Sequence, residues 1–244
     1  MSFNIKFNGK AIPNFVKVRA VKYTALPELQ NSFKSKTSGV GLIDNGTQIL
    51  GKTITLDISI IKDHRSVLQL TQELAGWLMG DNFNLSPLEI TDGEKVTFQA
   101  KVSNGVEITD ALTVGEGTIE FIVPTGVAEG QGSPVSINGN TITIYYTGTA
   151  ISYPVVTVDI TSPTQVIRIT DPDTGRQVTV YENFRAGDTV EIDCRTKRVK
   201  INGYIKMKNV ALNSTWPTFY SAGTYKLNCL GTGTWRCTVP LRYY

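Results

Sequence analysis

The sequence has 244 residues, of which 41% are hydrophobic and 18% are charged, and its formal net charge is +3. This composition is typical of a globular protein with room for one large domain or two ordinary ones. The small charge excess, without a long basic block, is too weak to argue for nucleic-acid binding by itself. The N-terminus shows no long apolar run and no cleavage-site pattern. We therefore expect no signal peptide, no membrane insertion and folding in a cytoplasm.

Alternation of apolar and polar side chains predicts strands in the first half of the chain. Over residues 53–61 the aliphatic side chains fall on one face and the polar ones on the other; they are Ile54, Leu56, Ile58 and Ile60. That period of two is typical of a half-buried strand. Residues 95–102 repeat the alternation, and residues 15–21 and 117–123 are predicted as further strands.

One amphipathic helix is predicted over about residues 64–79. Asp63 is the expected N-cap, and Gly80 with Asp81 is expected to end the helix. Apolar side chains follow at helical spacing, namely Val67, Leu70, Leu74, Trp77 and Leu78. A single amphipathic helix among strands should pack this stripe on a sheet, with Trp77 as its largest contact.

Residues 22–52 show no clean period, which is unusual for so long a stretch in a compact domain. Such a segment is usually functional or disordered. Two interpretations stay open: a surface loop, or an arm that orders against a neighbouring subunit. The candidate interface residues of such an arm are Phe33, Lys34, Lys36, Val40, Leu42 and Ile43.

The second half of the chain is predicted to be entirely β. Residues 124–134 hold three glycines and two prolines and are the best linker candidate, so we predict domains at 1–130 and 131–244. Short strands separated by turn signals follow, which is the pattern of a β-sandwich. They are expected at 141–146, 153–160, 165–170, 177–181, 189–193, 198–201, 224–229 and 235–241.

The residues that carry chemistry do not assemble into a predicted active site. The only imidazole is His64, and Cys194, Cys229 and Cys237 lack the spacing of a zinc site, so they are interpreted as buried or strand-borne thiols. A bridge between Cys229 and Cys237 across a hairpin is geometrically possible, but a reducing compartment argues against it. Asp171 to Glu182 only superficially resembles a calcium loop and is better explained by a hairpin turn. We therefore expect no enzyme, no cofactor and no metal. Paired carboxylates of a wall-degrading hydrolase stay open as an alternative.

Three aromatic side chains of the second half are candidates for stacking on sugar rings, namely Trp216, Tyr220 and Trp235. A position in the core or in an interface is the competing interpretation for each of them.

The order of these elements resembles the distal tail protein of long-tailed, non-contractile bacteriophages, a family of the tail tip and baseplate hub. The likeness covers nearly the whole chain and depends on the order of many weak sequence patterns rather than on one diagnostic motif. They lie at 15–51, 53–61, 70–78, 86–90, 95–102, 115–124, 151–158, 184–193 and 199–203.

The resemblance implies a mainly β protein whose N-terminal β-sandwich-like domain, with one helix and a long arm, forms a hexameric ring. It also implies a C-terminal galectin-like β-sandwich. The expected partners are other copies of the chain, the tail tube protein, the tape-measure protein, the tail-associated hub or lysin protein and the receptor-binding protein, with DNA passing through the lumen unbound. The expected location is the virion tail tip, after synthesis in the host cytoplasm. Since 131–244 has little more than the length of one sandwich, a plain adaptor is favoured over direct glycan binding.

Overall fold

The computed structural model describes residues 3–36, 40–61, 64–92, 94–103 and 114–244. The chain forms two compact units, Met1–Glu129 with Tyr244, and Gly130–Tyr243. Across the described residues it is mainly β with a single α-helix, which confirms the predicted fold class.

The first unit, over its described residues, is built from eight strands, the start of a ninth and one helix. These are β1 (Asn4–Phe7), β2 (Lys10–Ala11), β3 (Val16–Tyr23), β4 (Glu28–Ser35), β5 (Leu42–Ile61), α1 (Val67–Leu78), β6 (Ser86–Asp92), β7 (Glu94–Val102), β8 (Val114–Val123) and β9 (Ala128–Gly132). The main sheet has the strand order β2-β1-β6-β7-β8-β5-β3. All of its strand pairs are antiparallel.

The main sheet of the first unit curls around its own core. Strands β1 and β8 are separated by β6 and β7, so in a flat sheet they would lie about 14 Å apart at the usual ~4.8 Å spacing. Yet the rings of Phe7 on β1 and Phe121 on β8 lie 5.0 Å apart, in an edge-to-face contact. The sheet therefore folds over so that its two halves bury their inner faces against each other.

The helix closes this core and confirms the predicted stripe. Leu70, Leu74, Trp77 and Leu78 are all buried. The indole N–H of Trp77 donates to the Lys10 carbonyl oxygen at 3.0 Å, and its ring meets that of Phe7 edge-on. Because the polar edge of the indole is satisfied, this large side chain can be buried without an orphaned donor.

The predicted start of the helix was wrong. The helix begins at Val67 with Ser66 as N-cap: the Ser66 hydroxyl accepts from the Gln69 amide, and the Gln69 side chain accepts from the Ser66 amide. This reciprocal capping box satisfies two backbone donors and outcompetes an earlier start. Asp63, the predicted cap, lies outside the described residues, and His64 is exposed and precedes the helix.

The second unit is a sandwich of two five-stranded antiparallel sheets. Its strands are β10 (Val135–Asn138), β11 (Thr141–Tyr146), β12 (Val155–Ile160), β13 (Thr164–Thr170), β14 (Gln177–Phe184), β15 (Thr189–Asp193), β16 (Arg198–Ile201), β17 (Tyr204–Ile205), β18 (Gly223–Leu230), β19 (Gly233–Thr238) and β20 (Pro240–Tyr243), with a 3₁₀ turn at Met207–Asn209. The sheets have the orders β10-β11-β18-β13-β14 and β17-β16-β15-β12-β19. Strand β20 pairs with β9 instead.

The sandwich core is drawn from both sheets, as the predicted alternation requires. Ile142, Ile169 and Val180 from one sheet meet Val158 and Ile192 from the other in one buried cluster. The Asn202-Gly203 turn joins β16 to β17 with two central residues, both at positive φ, which is the primed hairpin turn expected for this dipeptide.

The predicted linker was wrong in one respect. Residues 128–132 form strand β9, and Ala128 pairs with Phe98 of β7. Glycine-rich composition suggested a flexible connection, but backbone pairing requires no side chains and is therefore compatible with it.

Candidate interaction surfaces

The segment predicted as an irregular arm is a β-hairpin. We call the hairpin formed by β4 and by residues 42–50 of β5 the arm. Its strands pair antiparallel from Glu28↔Gly51 to Ser35↔Leu42, with two register shifts. The Thr47 hydroxyl donates to the Asn31 side-chain oxygen at 2.7 Å across the hairpin. The arm is therefore regular backbone structure rather than a loop.

The arm continues the strand that crosses the core. Strand β5 is 20 residues long, and its side chains are exposed up to Leu50 and then buried at every second position from Lys52 to Ile60. Gly51 lies at the junction with φ +127°, and a Cβ there would come within 3.0 Å of the Val123 carbonyl oxygen. Only glycine allows both the left-handed backbone and this close approach.

Four of the predicted interface residues lie on the arm, the other two lie just beyond the tip ends of its strands, and all six are exposed. Phe33 is 56% exposed and stands opposite Asp44, while Leu42, 61% exposed, stands opposite Ser35. Lys34 pairs with Ile43, Lys36 follows the end of β4, and Val40 precedes β5. The hairpin brings Phe33, Lys34, Leu42 and Ile43 together near its tip. Clusters of exposed large apolar side chains are typical of protein–protein interaction surfaces.

The base of the arm frames a recess of about 430 Å³, lined by Thr24, Leu26, Glu28, Leu50, Gly51, Lys52, Thr53, Ile122, Val123 and Pro124. Lys52 is only 6% exposed. Burial lowers the pKa of its ammonium group, because removal from water disfavours the charged form. Sequence reasoning missed this residue. The alternation of β5 could have indicated it, because Lys52 lies two residues before Ile54 and so takes the next core-facing position.

A second concave surface lies on the second unit, and we call it the cleft. It has a volume of about 540 Å³ and is lined by Ile151, Tyr153, Arg176, Cys194, Lys197, Ser214, Thr215, Trp216, Thr218 and Tyr220. The Arg176 guanidinium donates to the Tyr220 hydroxyl at 2.8 Å and lies 5.3 Å from the centre of that ring. Trp216 and Tyr220, two of the predicted stacking residues, therefore line one surface.

The prediction was wrong for the third stacking residue, which does not lie on the surface. Trp235 is 4% exposed and belongs to the sandwich core. It stands on β19 opposite Val158, and its neighbours in sequence, Thr234 and Arg236, face away. The alternation of Trp235, Cys237 and Val239 with polar residues already indicated an inward position.

The thiols lack the properties of nucleophiles. Cys194, Cys229 and Cys237 are unbridged; Cys194 and Cys229 are buried and Cys237 lies on β19, which confirms the prediction of buried or strand-borne thiols. Burial raises the pKa of Cys229 and of Cys237 to about 12, and it raises the pKa of Cys194 further still. A thiol rather than a thiolate is present at neutral pH, and the thiol is unreactive.

Asp171 closes a turn, as the sequence predicted. Its carboxylate accepts from the Asp173 amide at 3.0 Å and from the Thr174 hydroxyl at 2.6 Å. In the part of the chain that the structure describes, no group of three or more His, Cys, Asp or Glu side chains could hold a metal ion. Among those same residues, no helix is long and apolar enough to cross a membrane.

Comparison with known proteins gives one family and a set of similar structures. Residues 147–242 match the family described as siphovirus-type tail component, C-terminal domain. The structure is similar to that of the Dit (gp 19.1) protein of phage SPP1, presented as a paradigm of the hub adsorption apparatus in phages that infect Gram-positive bacteria. That match has a TM-score of 0.86 at 12% identity and covers 100% of both chains. The curated proteins give no match.

Two chains of the phage p2 baseplate in its activated conformation are more distant. The chain from the form with Sr has a TM-score of 0.49 at 8% identity and covers 99% of this chain and 97% of that one. The chain from the form with Ca has the same score and identity and covers 100% and 98%. The match to the SPP1 protein and the family match of the second unit agree with each other. Residues 147–242 match the siphovirus-type tail component family, and over its whole length the chain has the fold of the SPP1 Dit protein.

Proposed function

We propose that this chain is a structural subunit of the phage tail tip, and that its first unit assembles into a hexameric ring. The ring would join the tail tube to the tail-associated hub and the receptor-binding apparatus and would continue the DNA channel. The observation that carries the proposal is the arm, a regular hairpin whose side chains are exposed along all of β4 and the first nine residues of β5.

The physical case for assembly is the apolar surface of the arm. Phe33, Leu42 and Ile43 are exposed on an element that packs no apolar face of its own. Full burial of one such side chain contributes about 1.5–3 kcal/mol. Among the described residues β4 pairs only with β5, so its outer edge presents backbone groups that a neighbouring subunit can cover. A head-to-tail contact of this kind closes into a ring when the rotation per subunit allows it.

The partners follow from the same role. The ring would contact the tail tube and tape-measure proteins on one side and the hub or lysin and receptor-binding proteins on the other. DNA would pass through the lumen without specific binding, which a net charge of +3 over 244 residues favours over a strongly basic surface. The protein would be made in the bacterial cytoplasm and carried on the virion tail tip.

Electron microscopy of the purified protein tests the ring directly. We expect six-fold rings with a central hole, in which the first units surround the lumen. The matched variant replaces residues 32–46 by Asn-Gly, which turns the hairpin at the Asn31↔Thr47 pair. This variant should keep the fold and lose the rings. Rings that form equally well without the arm tip would refute the role of the arm.

A second candidate function is the binding of a wall glycan in the cleft. The specific observation is that Trp216, Tyr220 and Arg176 line one surface of the second unit. An aromatic face with an adjacent cation and hydroxyls suits a sugar ring that carries acidic groups. Calorimetry with host wall polysaccharides, using Trp216→Ala and the core-preserving control Leu212→Ala, decides this. Heat that Trp216→Ala abolishes supports it, and no heat with any wall polysaccharide refutes it.

A further inference from the structure

Lys52 is a buried cation for which the structure provides no counter-charge. It continues the core-facing positions of β5 that Ile54, Leu56 and Ile58 occupy, and it stands opposite Val123 of β8. It is 6% exposed. Among the described residues, no hydrogen bond or ion pair to its ammonium group is found; Glu28, which lines the same recess, makes none with it. A charge that is buried and unpaired is unfavourable, so its retention here points to an anion supplied from outside the subunit.

The recess around Lys52 defines what this anion must be attached to. Leu26, Leu50, Ile122 and Pro124 line it together with Lys52. Three of these side chains are themselves exposed large apolar groups. A free inorganic anion would leave this apolar rim in water. A carboxylate flanked by large apolar side chains would satisfy both the ammonium group and the rim.

The arm of this same chain carries such a carboxylate. Asp44 follows Leu42 and Ile43, both exposed, and stands opposite Phe33. One of its oxygens accepts from the Gly46 amide at 2.7 Å. No ion pair of Asp44 is found in the described part of the chain. Asp44 and Lys52 are eight residues apart on β5, which is about 26 Å along a strand. They are too far apart to meet within one subunit.

We propose that Asp44 of one copy binds Lys52 of the next copy, so that the arm tip of each subunit sits in the recess at the arm base of its neighbour. This inference rests on the proposed ring. Each subunit then offers one arm and one recess, which is the head-to-tail arrangement that a closed ring requires. The pair would be covered by the apolar side chains of both copies and would fix the register of the contact.

Charge reversal tests the pairing in trans. Asp44→Lys and Lys52→Asp should each lose assembly, because like charges then meet at every contact. An equimolar mixture of the two variants should assemble again, because contacts between unlike copies restore one acid and one base each time. In a ring formed by the mixture, the two variants must alternate around the ring, which an even number of subunits such as six allows. Each single variant should weaken assembly about tenfold or more, in line with close interfacial charge pairs. Analytical ultracentrifugation of each protein and of the mixture measures this.

The control is a matched reversal away from the proposed contact. Asp173→Lys and Lys226→Asp change exposed charges on the second unit. Alone and mixed, they should assemble as the unsubstituted chain does. If the unsubstituted chain never assembles, the ring itself is refuted. If it assembles and the Asp44→Lys and Lys52→Asp proteins do so as well, or if their mixture stays dissociated, the ring stands and this pairing is refuted.

A milder pair of variants keeps the test decisive if aspartate at the buried position unfolds the first unit. Lys52→Met removes the charge and keeps an unbranched apolar chain, and Asp44→Asn keeps an oxygen for the Gly46 amide. Each variant should weaken assembly. The double variant should assemble about as well as the single variant that assembles less well, because both substitutions remove the same contact. Losses that add in the double variant would overturn the proposal.

Discussion

The sandwich of the second unit and the arm of the first unit use β-structure in opposite ways. In the sandwich, alternate side chains from two sheets meet in one buried cluster. In the arm, every side chain of β4 is exposed. The sandwich is therefore stabilised by the burial of its own apolar side chains. The arm holds its shape by backbone pairing and by its continuation into the core half of β5, and its apolar side chains stay exposed.

Strand β5 contains both behaviours in one continuous element. Its residues from Lys52 onward follow the strict alternation of a strand with one buried face, while its residues 42–50 have none buried. The boundary is Gly51, where the backbone leaves the ordinary strand region. Substitutions on the two sides of this glycine should therefore differ in their effect on the stability of the first unit.

The largest expected effect on stability is that of Trp77→Ala in the core of the first unit. The variant loses a buried indole, its hydrogen bond to Lys10 and its contacts with two aromatic rings. The free energy of unfolding should fall by about 3–5 kcal/mol. Denaturant unfolding measures the loss, and peptide-resolved hydrogen exchange should locate it in the first unit. Leu68→Ala, on the exposed side of the same helix, is the control and should change little.

Next in size is the contrast between Leu56→Ala and Leu42→Ala on β5. Leu56 is fully buried, so its truncation should destabilise the first unit by about 2–5 kcal/mol. Leu42 is exposed on the arm, so the same truncation should stay within about 0.5 kcal/mol for the dissociated chain. Thermal unfolding of dilute protein compares them. Equal losses would show that the arm is packed as the core is, and the contrast would then be wrong.

A smaller effect is expected at the helix N-terminus. Ser66→Ala removes the hydroxyl that accepts from the Gln69 amide. The loss should be about 1 kcal/mol. Ser66→Asn restores a side-chain acceptor and should recover most of that stability in the same denaturation experiment. A Ser66→Ala protein as stable as the unsubstituted chain would mean that the capping box does not stabilise α1.

The smallest expected effect is a pH dependence at Asp193 in the second unit. Partial burial opposes the ionisation of this carboxyl group, but the amides of Thr196 and Arg195 donate to it at 3.1 and 2.9 Å and hold its pKa below the usual value. Its contribution to stability is present above the unfolded pKa of about 3.9 and is lost as pH falls through the lower folded value. Asp193→Asn should therefore lose part of the acid dependence of unfolding; identical pH profiles would count against the contribution.

The sequence predicted well those elements in which buried and exposed side chains recur with a regular period. The core half of β5, the stripe of α1 and the sandwich strands all carry periodicity because one face packs and the other does not. The arm carries no such period, since both of its faces are exposed, and its hairpin pairing is therefore invisible to alternation. Strand β9 was taken for a linker for a related reason: its glycines form backbone pairs without any side-chain signal.

The errors at single residues have the same origin. Trp235 was judged by residue type, whereas its place in the alternation of β19 puts it in the core. Lys52 was overlooked because lysine is assumed to be exposed, whereas its register on β5 makes it core-facing. The recess and the cleft combine residues far apart in sequence, so only the folded chain brings them together.

We propose that the arm serves assembly rather than the stability of its own subunit. Light scattering of the full chain and of the arm-shortened variant, over a range of concentrations, distinguishes these two roles. We expect a species of six times the 26.7 kDa chain mass for the full chain. For the shortened chain we expect a folded monomer with unchanged thermal unfolding. A full chain that stays monomeric at every concentration and with its tail partners, or a shortened chain that assembles as well as the full one, would refute the assembly role of the arm.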